Sequence, residues 1–562
     1  MLINSFRLFF VVLLIIFQLP VYSKNSDKNA FYYKELSSYF SAQVSYLNQN
    51  NKEALKFFKL SRSLINKHDP FLKSYVFSLI SEGKVKKAIN QIKVSSKKEN
   101  SNFFEAHMLL AIESLKRNDL KKAEKYINNL SNFKKEGTFQ LIIYETLRDY
   151  NFVFKNRKIN SKESNFGNLS IINKAFQGCY LDHADTRNYF TSLFNNDEID
   201  YSRYIFFYTT YLVDKKNFFE AKEITDQIDI LNTNLLTAQT KKWVDEKDFT
   251  KFSDFFSCQN ETDILSEFLF LIANLYSSQN NYEESNFYLN ISNYLNPKFK
   301  FNHSLLVENF YEKKNYEKSK KILKLFNEED DIYYWYKIKK FTNIIFEEQS
   351  KKQAIAYLES NYKKIIDPSQ KILFDIANIF KTFEEYQLSI DYYNKVFLKI
   401  DKSHNSYSEI LYRRGGSYER LGQYDKSDKD LLDSLKFNSD DAYVLNYLAY
   451  SWLERNHQID KAIEMLEKAY KQKKNDPYII DSVGWAYYLT GDFVKAEEFL
   501  KRAVILMPDD PIVNDHYGDI LWKLGRKMQA RYYWNSVLNF KKTEENMKSN
   551  VSAKILIGLK DI

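Results

Sequence analysis

The chain repeats itself. Residues 477–510 read PYIIDSVGWAYYLTGDFVKAEEFLKRAVILMPDD, and 511–544 continue in the same frame as PIVNDHYGDILWKLGRKMQARYYWNSVLNFKKTE, a period of 34. Gly484 and Gly518 fall at position 8, Gly491 and Gly525 at position 15, Ala496 and Ala530 at position 20, and Pro508 at position 32. Apolar residues recur at helical spacing on both sides of position 15, so each unit reads as two antiparallel helices of about 14 residues. Small residues where the helices cross let the backbones approach, and larger ones at positions 4, 7, 11, 17 and 24 fill the flanks. One such pair cannot bury its own apolar face, so pairs must stack on one another.

The period and its small residues at 8 and 20 resemble the tetratricopeptide repeat. Sliding the frame backward gives further units at 35–68, 69–102, 104–137, 202–235, 266–299, 300–333, 335–368, 370–403, 408–441 and 442–476, twelve with the two above. The fold expected is all-α: a right-handed solenoid of stacked antiparallel helix pairs, in one superhelix or two arms. Residues 138–201 and 236–265 fit the period poorly, and Lys155–Ser164 reads as an exposed polar loop. His404–Tyr407 is a four-residue insertion between units. The organisation expected is a leader at 1–23, an N-terminal array over 24–265, a C-terminal array over 266–545, and a charged tail over 546–562 that frays apart from Ile555–Leu559.

Composition agrees with helices. The 562 residues include only 12 Gly and 7 Pro, where average usage gives roughly 40 and 28. That scarcity disfavours sandwiches, barrels and Gly-rich nucleotide folds. The net charge of +9 is weak for this length, and residues 408–544 carry 21 basic and 22 acidic side chains. No basic face emerges, so no nucleic-acid partner is expected. Cys179 and Cys258 stand in no C-x-x-C, which excludes a zinc ribbon or thioredoxin-type site. A disulfide is possible in an oxidising compartment, but two unpaired buried thiols are expected.

Arg7, the apolar run Leu8–Leu19 and Pro20-Val21-Tyr22-Ser23 have the three-zone layout of an export signal. The run is short for a membrane span, which needs about twenty residues. A periplasmic protein is therefore expected, the alternative being an inner-membrane anchor with the body facing the cytoplasm.

No G-x-S-x-G, Walker A or H-E-x-x-H occurs. Neither enzymatic activity nor a metal or cofactor is expected. Cys179 and His183, four apart beside Asp182 and Asp185, read as a helix with a buried thiol rather than a metal or nucleophile cluster. In the repeat frame helix A lines the concave groove with positions 2, 5, 9, 12 and 13. Position 5 of the last three units is Asn446, Asp481 and Asp515; position 9 is Tyr450, Trp485 and Asp519; position 12 adds Tyr488 and Trp522. Amides and carboxylates beside large aromatics suit an extended peptide or helix of a partner protein. The same acids also suit hydrogen bonds between repeats. Acids and aromatics replace the Lys at 5 and Asn at 9 that some arrays use to clamp a C-terminal carboxylate. His516, at position 6, is expected to point elsewhere.

The strings YRRGGSYERLGQYDKS, LNYLAYSWLERN, IIDSVGWAYYLTGDF and NDHYGDILWKLGR within 411–534 resemble the C-terminal part of a family of exported tetratricopeptide proteins of proteobacteria, especially alphaproteobacteria. Ala449 replaces an expected Gly and Ser427 an expected Ala. The resemblance implies a non-enzymatic envelope scaffold whose partners are envelope proteins, in outer-membrane or cell-wall assembly.

Overall fold

A computed structural model describes residues 26–65, 68–95, 99–160, 165–194 and 202–559. The export signal expected at 1–23 lies outside them. The described residues are α-helices joined by short turns, with two 3₁₀ turns and no strand. Sequential helices pack in antiparallel pairs, as a 34-residue helix–turn–helix period requires.

Backbone dihedrals test the frame independently. Position 15 has a left-handed backbone in eleven of the twelve units, at Gln49, Gly83, Asn118, Lys216, Asn280, Lys314, Glu384, Gly422, Asn456, Gly491 and Gly525. Its N–H closes the C-terminus of helix A, and the αL turn then reverses the chain into helix B. Only four of the eleven are glycine, which is how the chain folds on so few. Position 20 is fully buried in all twelve units, from Ala54 to Ala530. At position 8, a Cβ on Gly484 would stand 2.7 Å from Leu500 Cγ, and one on Gly518 would overlap the Trp534 indole. Positions 8 and 24 thus meet at the helix crossing.

Two compact units emerge, Met1–Ile228 with Thr233–Glu359, and Asp229–Asn232 with Ser360–Ile562. The boundary expected at 265/266 falls instead inside the continuous helix Glu261–Ser278, whose buried face runs from Asp263 to Ala273. The segments that fit the period poorly are also helical. Thr138–Asn156 is one 19-residue helix, so Lys155 belongs to a helix rather than a loop, and Leu235–Asp245 pairs with Arg203–Asp214.

Within the first unit Cys179 and Cys258 form a disulfide, correcting the expectation of free thiols. Folding brings the end of helix Asn168–Leu181 against the turn before Glu261, where Gln259 Nε2 donates to the Cys179 carbonyl at 3.2 Å. Nearby, Arg203 lies 3.9 Å from the Phe270 ring centroid and donates to the fully buried Glu267 at 2.9 Å.

Candidate partner-binding groove

Nine helices close the second unit: α1 (Tyr407–Arg420), α2 (Tyr424–Phe437), α3 (Ala442–Glu454), α4 (Ile459–Gln472), α5 (Pro477–Leu489), α6 (Phe493–Leu506), α7 (Pro511–Lys523), α8 (Lys527–Asn539) and α9 (Glu545–Ile557). Local chemistry starts the A helices. Asp441, Asp476 and Asp510 each accept two backbone N–H groups as N-caps, and Pro477 and Pro511 occupy the first turn, where a missing N–H costs nothing.

The last helix is the main departure from expectation. Residues 546–562 read as a tail that frays apart from Ile555–Leu559, yet α9 is helical from Glu545 and packs on α8 through the fully buried Val551. Lys554 is the reason. Its ammonium lies 2.8 Å from both oxygens of Asp515 and both oxygens of Asp519. Arg531 Nε donates to the Ile555 carbonyl at 2.9 Å, and Gly558 passes so close to Trp522 that any Cβ would overlap the ring. The helix therefore covers the end of the acid ladder and satisfies its charge.

The expected groove residues come together, but in two roles. Asp481 is buried and holds His516 Nδ1 at 2.8 Å. His516 does not point elsewhere: it stacks on Trp485 at 3.9 Å, and Trp485 stacks on Tyr488 at 4.6 Å. Trp485 Nε1 donates to Glu454 at 2.7 Å, and Tyr450 approaches the His516 ring at 6.4 Å. Asp519 also accepts from Trp534 Nε1 at 2.9 Å, while Trp522 lies beside Trp534. Asp481, Asp515 and Asp519 thus tie neighbouring helices together. Asn446 Oδ1 and Asp481 Oδ1 are buried with no hydrogen-bond partner among the described residues.

The electrostatics follow from this packing. Burial opposes a charged His516 ring, but Asp481, with Asp515 and Asp519 behind it, outweighs burial and raises the pKa. Burial and the Asp515 carboxylate push Asp519 up to about 6, against the pull of Lys554. Burial also pushes Tyr450 and Tyr488 far above the usual phenol range, so both stay neutral donors.

Position 2 is the exposed position of this face. Tyr443, Tyr478 and Ile512 are each at least half exposed on successive A helices, and Ile557 of α9 is exposed too. Ile512, Asp515, Lys554, Ile557 and Arg420 line one cavity of about 710 Å³. Lys554, Trp534 and Glu454 were not singled out from sequence, and His516 was named but expected to point away. Continuing the 34-residue frame past 544 was the available signal, since it makes 545–557 another A helix.

Residues 408–441, which are α1, α2 and their flanks, match the family model described as tetratricopeptide repeat. One segment of the chain thus matches a single tetratricopeptide repeat. It is 31% identical over 132 residues, 23% of its length, to the TPR repeat-containing protein PA4667 of Pseudomonas aeruginosa. It spans 22% of that curated relative. Among solved structures, the thermophilic TPR protein TTC0263 of Thermus thermophilus matches 34% of this chain and all of its own, at 16% identity and a TM-score of 0.30. MamA (41-end) from Desulfovibrio magneticus matches 32% of this chain and 99% of its own, at 18% identity and a TM-score of 0.26.

Cys179 carries no thiolate nucleophile, because its sulfur is bonded to Cys258. The His183 side chain is about half exposed and, among the described residues, approaches only Asp185. No helix among the described residues is long and apolar enough to cross a membrane, and no described cluster of His, Cys, Asp and Glu has metal-binding form.

Proposed function

We propose that this protein is an exported, non-enzymatic scaffold of the bacterial cell envelope. It would bind a peptide or helix of a partner protein along the A helices of its C-terminal array, in outer-membrane or cell-wall assembly. The observation that carries the binding reading is the row of half-exposed apolar side chains at position 2, Tyr443, Tyr478 and Ile512, beside stacked Trp485 and Tyr488. Rigid aromatics beside exposed apolar side chains supply anchors for a partner's apolar residues. Asp481, Asp515 and Asp519 hold that surface in shape, and Trp522 anchors its end.

Export is supported by the Cys179–Cys258 disulfide, since such pairs persist in oxidising compartments and are rare in the cytosol. An anchored protein whose body faces the cytoplasm would keep both thiols reduced. N-terminal sequencing of the mature protein tests export: a start at Lys24 supports it, and a retained residue 7–20 segment contradicts it. For binding, Tyr478→Lys with Ile512→Lys is expected to abolish partner capture in cell extracts while the helical circular dichroism stays unchanged. Undiminished capture would remove the groove from consideration.

A further inference from the structure

A second site stands away from the groove and shares no residue with it. The turn carrying the insertion His404–Tyr407 opens a cavity of about 470 Å³ against α1 and α2, within the range of small-ligand pockets. Its floor is aromatic: the Tyr407 ring lies 4.9 Å from Phe397 and 5.4 Å from Phe437. Its rim carries five cations, Lys402, Arg414, Lys426, Lys429 and Lys436, against the two carboxylates of Asp430 and Asp433.

Both carboxylates are engaged. Arg414 grips the buried Asp430 through Nε and Nη2 at 2.7 and 2.8 Å, and Lys436 holds Asp433 at 2.6 Å. Lys426 donates to Gln423 at 2.9 Å. Lys402 and Lys429 make no ion pair among the described residues, so the cavity keeps an excess of three positive charges. In water, two unpaired ammonium groups and the phenol of Tyr418 over one concavity favour a multiply charged anion. A planar carboxylate is best read by a guanidinium fork, and the one fork present is already spent on Asp430. Flexible ammonium groups meet a tetrahedral dianion from several directions instead.

We propose that this cleft binds a phosphate group, presented on a soluble molecule or a lipid headgroup, with Lys402 and Lys429 as its principal contacts. The test is calorimetric titration of the full-length protein with inorganic pyrophosphate at physiological salt. The expected result is one saturable site, weakened tenfold or more by Lys402→Glu with Lys429→Glu and unchanged by Lys471→Glu with Lys474→Glu elsewhere on the surface. Lys402→Gln alone, in a turn outside the helices, is expected to weaken binding at least threefold and covers any folding defect in the double variant. Absence of saturable binding, equal losses in both double variants, or citrate binding as tightly as pyrophosphate would overturn the assignment. Flotation with phosphatidylglycerol vesicles separates the two sources. Retention that the double variant loses identifies a headgroup, and pyrophosphate binding without retention identifies a soluble phosphate.

Discussion

Removing the Cys179–Cys258 bridge is the perturbation whose size follows most directly from the structure. The two residues are 79 apart in sequence, so the bond closes a loop of 80 residues in the unfolded chain. Loop-closure entropy then amounts to roughly 15 cal/mol/K, or about 4.5 kcal/mol at 25 °C, lost from the unfolded state and therefore gained by the folded one. Both cysteines are buried, so alanine is the appropriate replacement, leaving a small cavity and no stranded hydroxyl. Helices far apart in sequence share one core in this unit, so the loss falls first on the two helices the bridge ties and then on their packing partners. The effect should concentrate in helices Asn168–Leu181 and Glu261–Ser278. Hydrogen exchange by mass spectrometry, comparing the native protein with Cys179→Ala/Cys258→Ala, reads this directly. Protection in those two helices should fall by two to three orders of magnitude, with α5–α8 unchanged. A difference under tenfold, or two titratable thiols in the native oxidised protein, would refute the reasoning.

Other consequences are as specific. Lys554→Met leaves Asp515 and Asp519 facing each other in a buried site, which should cost about 3–5 kcal/mol and release α9; restoring stability with Asp515→Asn/Asp519→Asn, followed by urea unfolding, checks the cause. Because His516 has a raised folded pKa, its stabilising contribution is complete below about 6.5 and is lost as pH rises through the folded value. Asp519, raised to about 6 from its ordinary value, loses stability in the same direction across that interval, so His516→Phe should flatten only the upper part of the pH–stability curve. At position 15, Lys216→Gly and Glu384→Gly should each stabilise by about 1 kcal/mol, because both hold left-handed backbones that penalise a Cβ. Gly518→Ala should destabilise by about 1–3 kcal/mol through overlap with Trp534, measured by thermal unfolding.

Much of the fold was legible because helix crossings impose residue size. Ala or Ser at position 20 and Gly at position 8 are demanded by close backbones, and such demands leave a periodic trace in sequence. The turn at position 15 was half legible: Gly491 announces an αL residue, whereas Lys216 and Glu384 adopt the same backbone without any chemical sign of it. The Cys179–Cys258 pair was not legible, because pairing depends on which helices fold together over 79 residues, in a region where the period fades. In the groove, the frame placed Asp481, Trp485, Asp515 and Asp519 on adjacent helices, as the structure does. What it did not reveal was how those charges are satisfied. Lys554 lies beyond the last recognisable unit, and the His516 side chain is turned toward Asp481 by the stacking of Trp485, a contact between repeats rather than within one.

The central claim is that the A-helix surface of the C-terminal array holds a partner protein. Photocrosslinking in intact cells tests it most directly, with a photoreactive residue placed in turn at Tyr443, Tyr478 and Ile512, and at Val494 and Met528 on exposed B-helix positions as controls. The account predicts one common protein adduct from the three A-helix positions and none from the controls. Adducts from Val494 or Met528 alone, or equal labelling from all five, would contradict it.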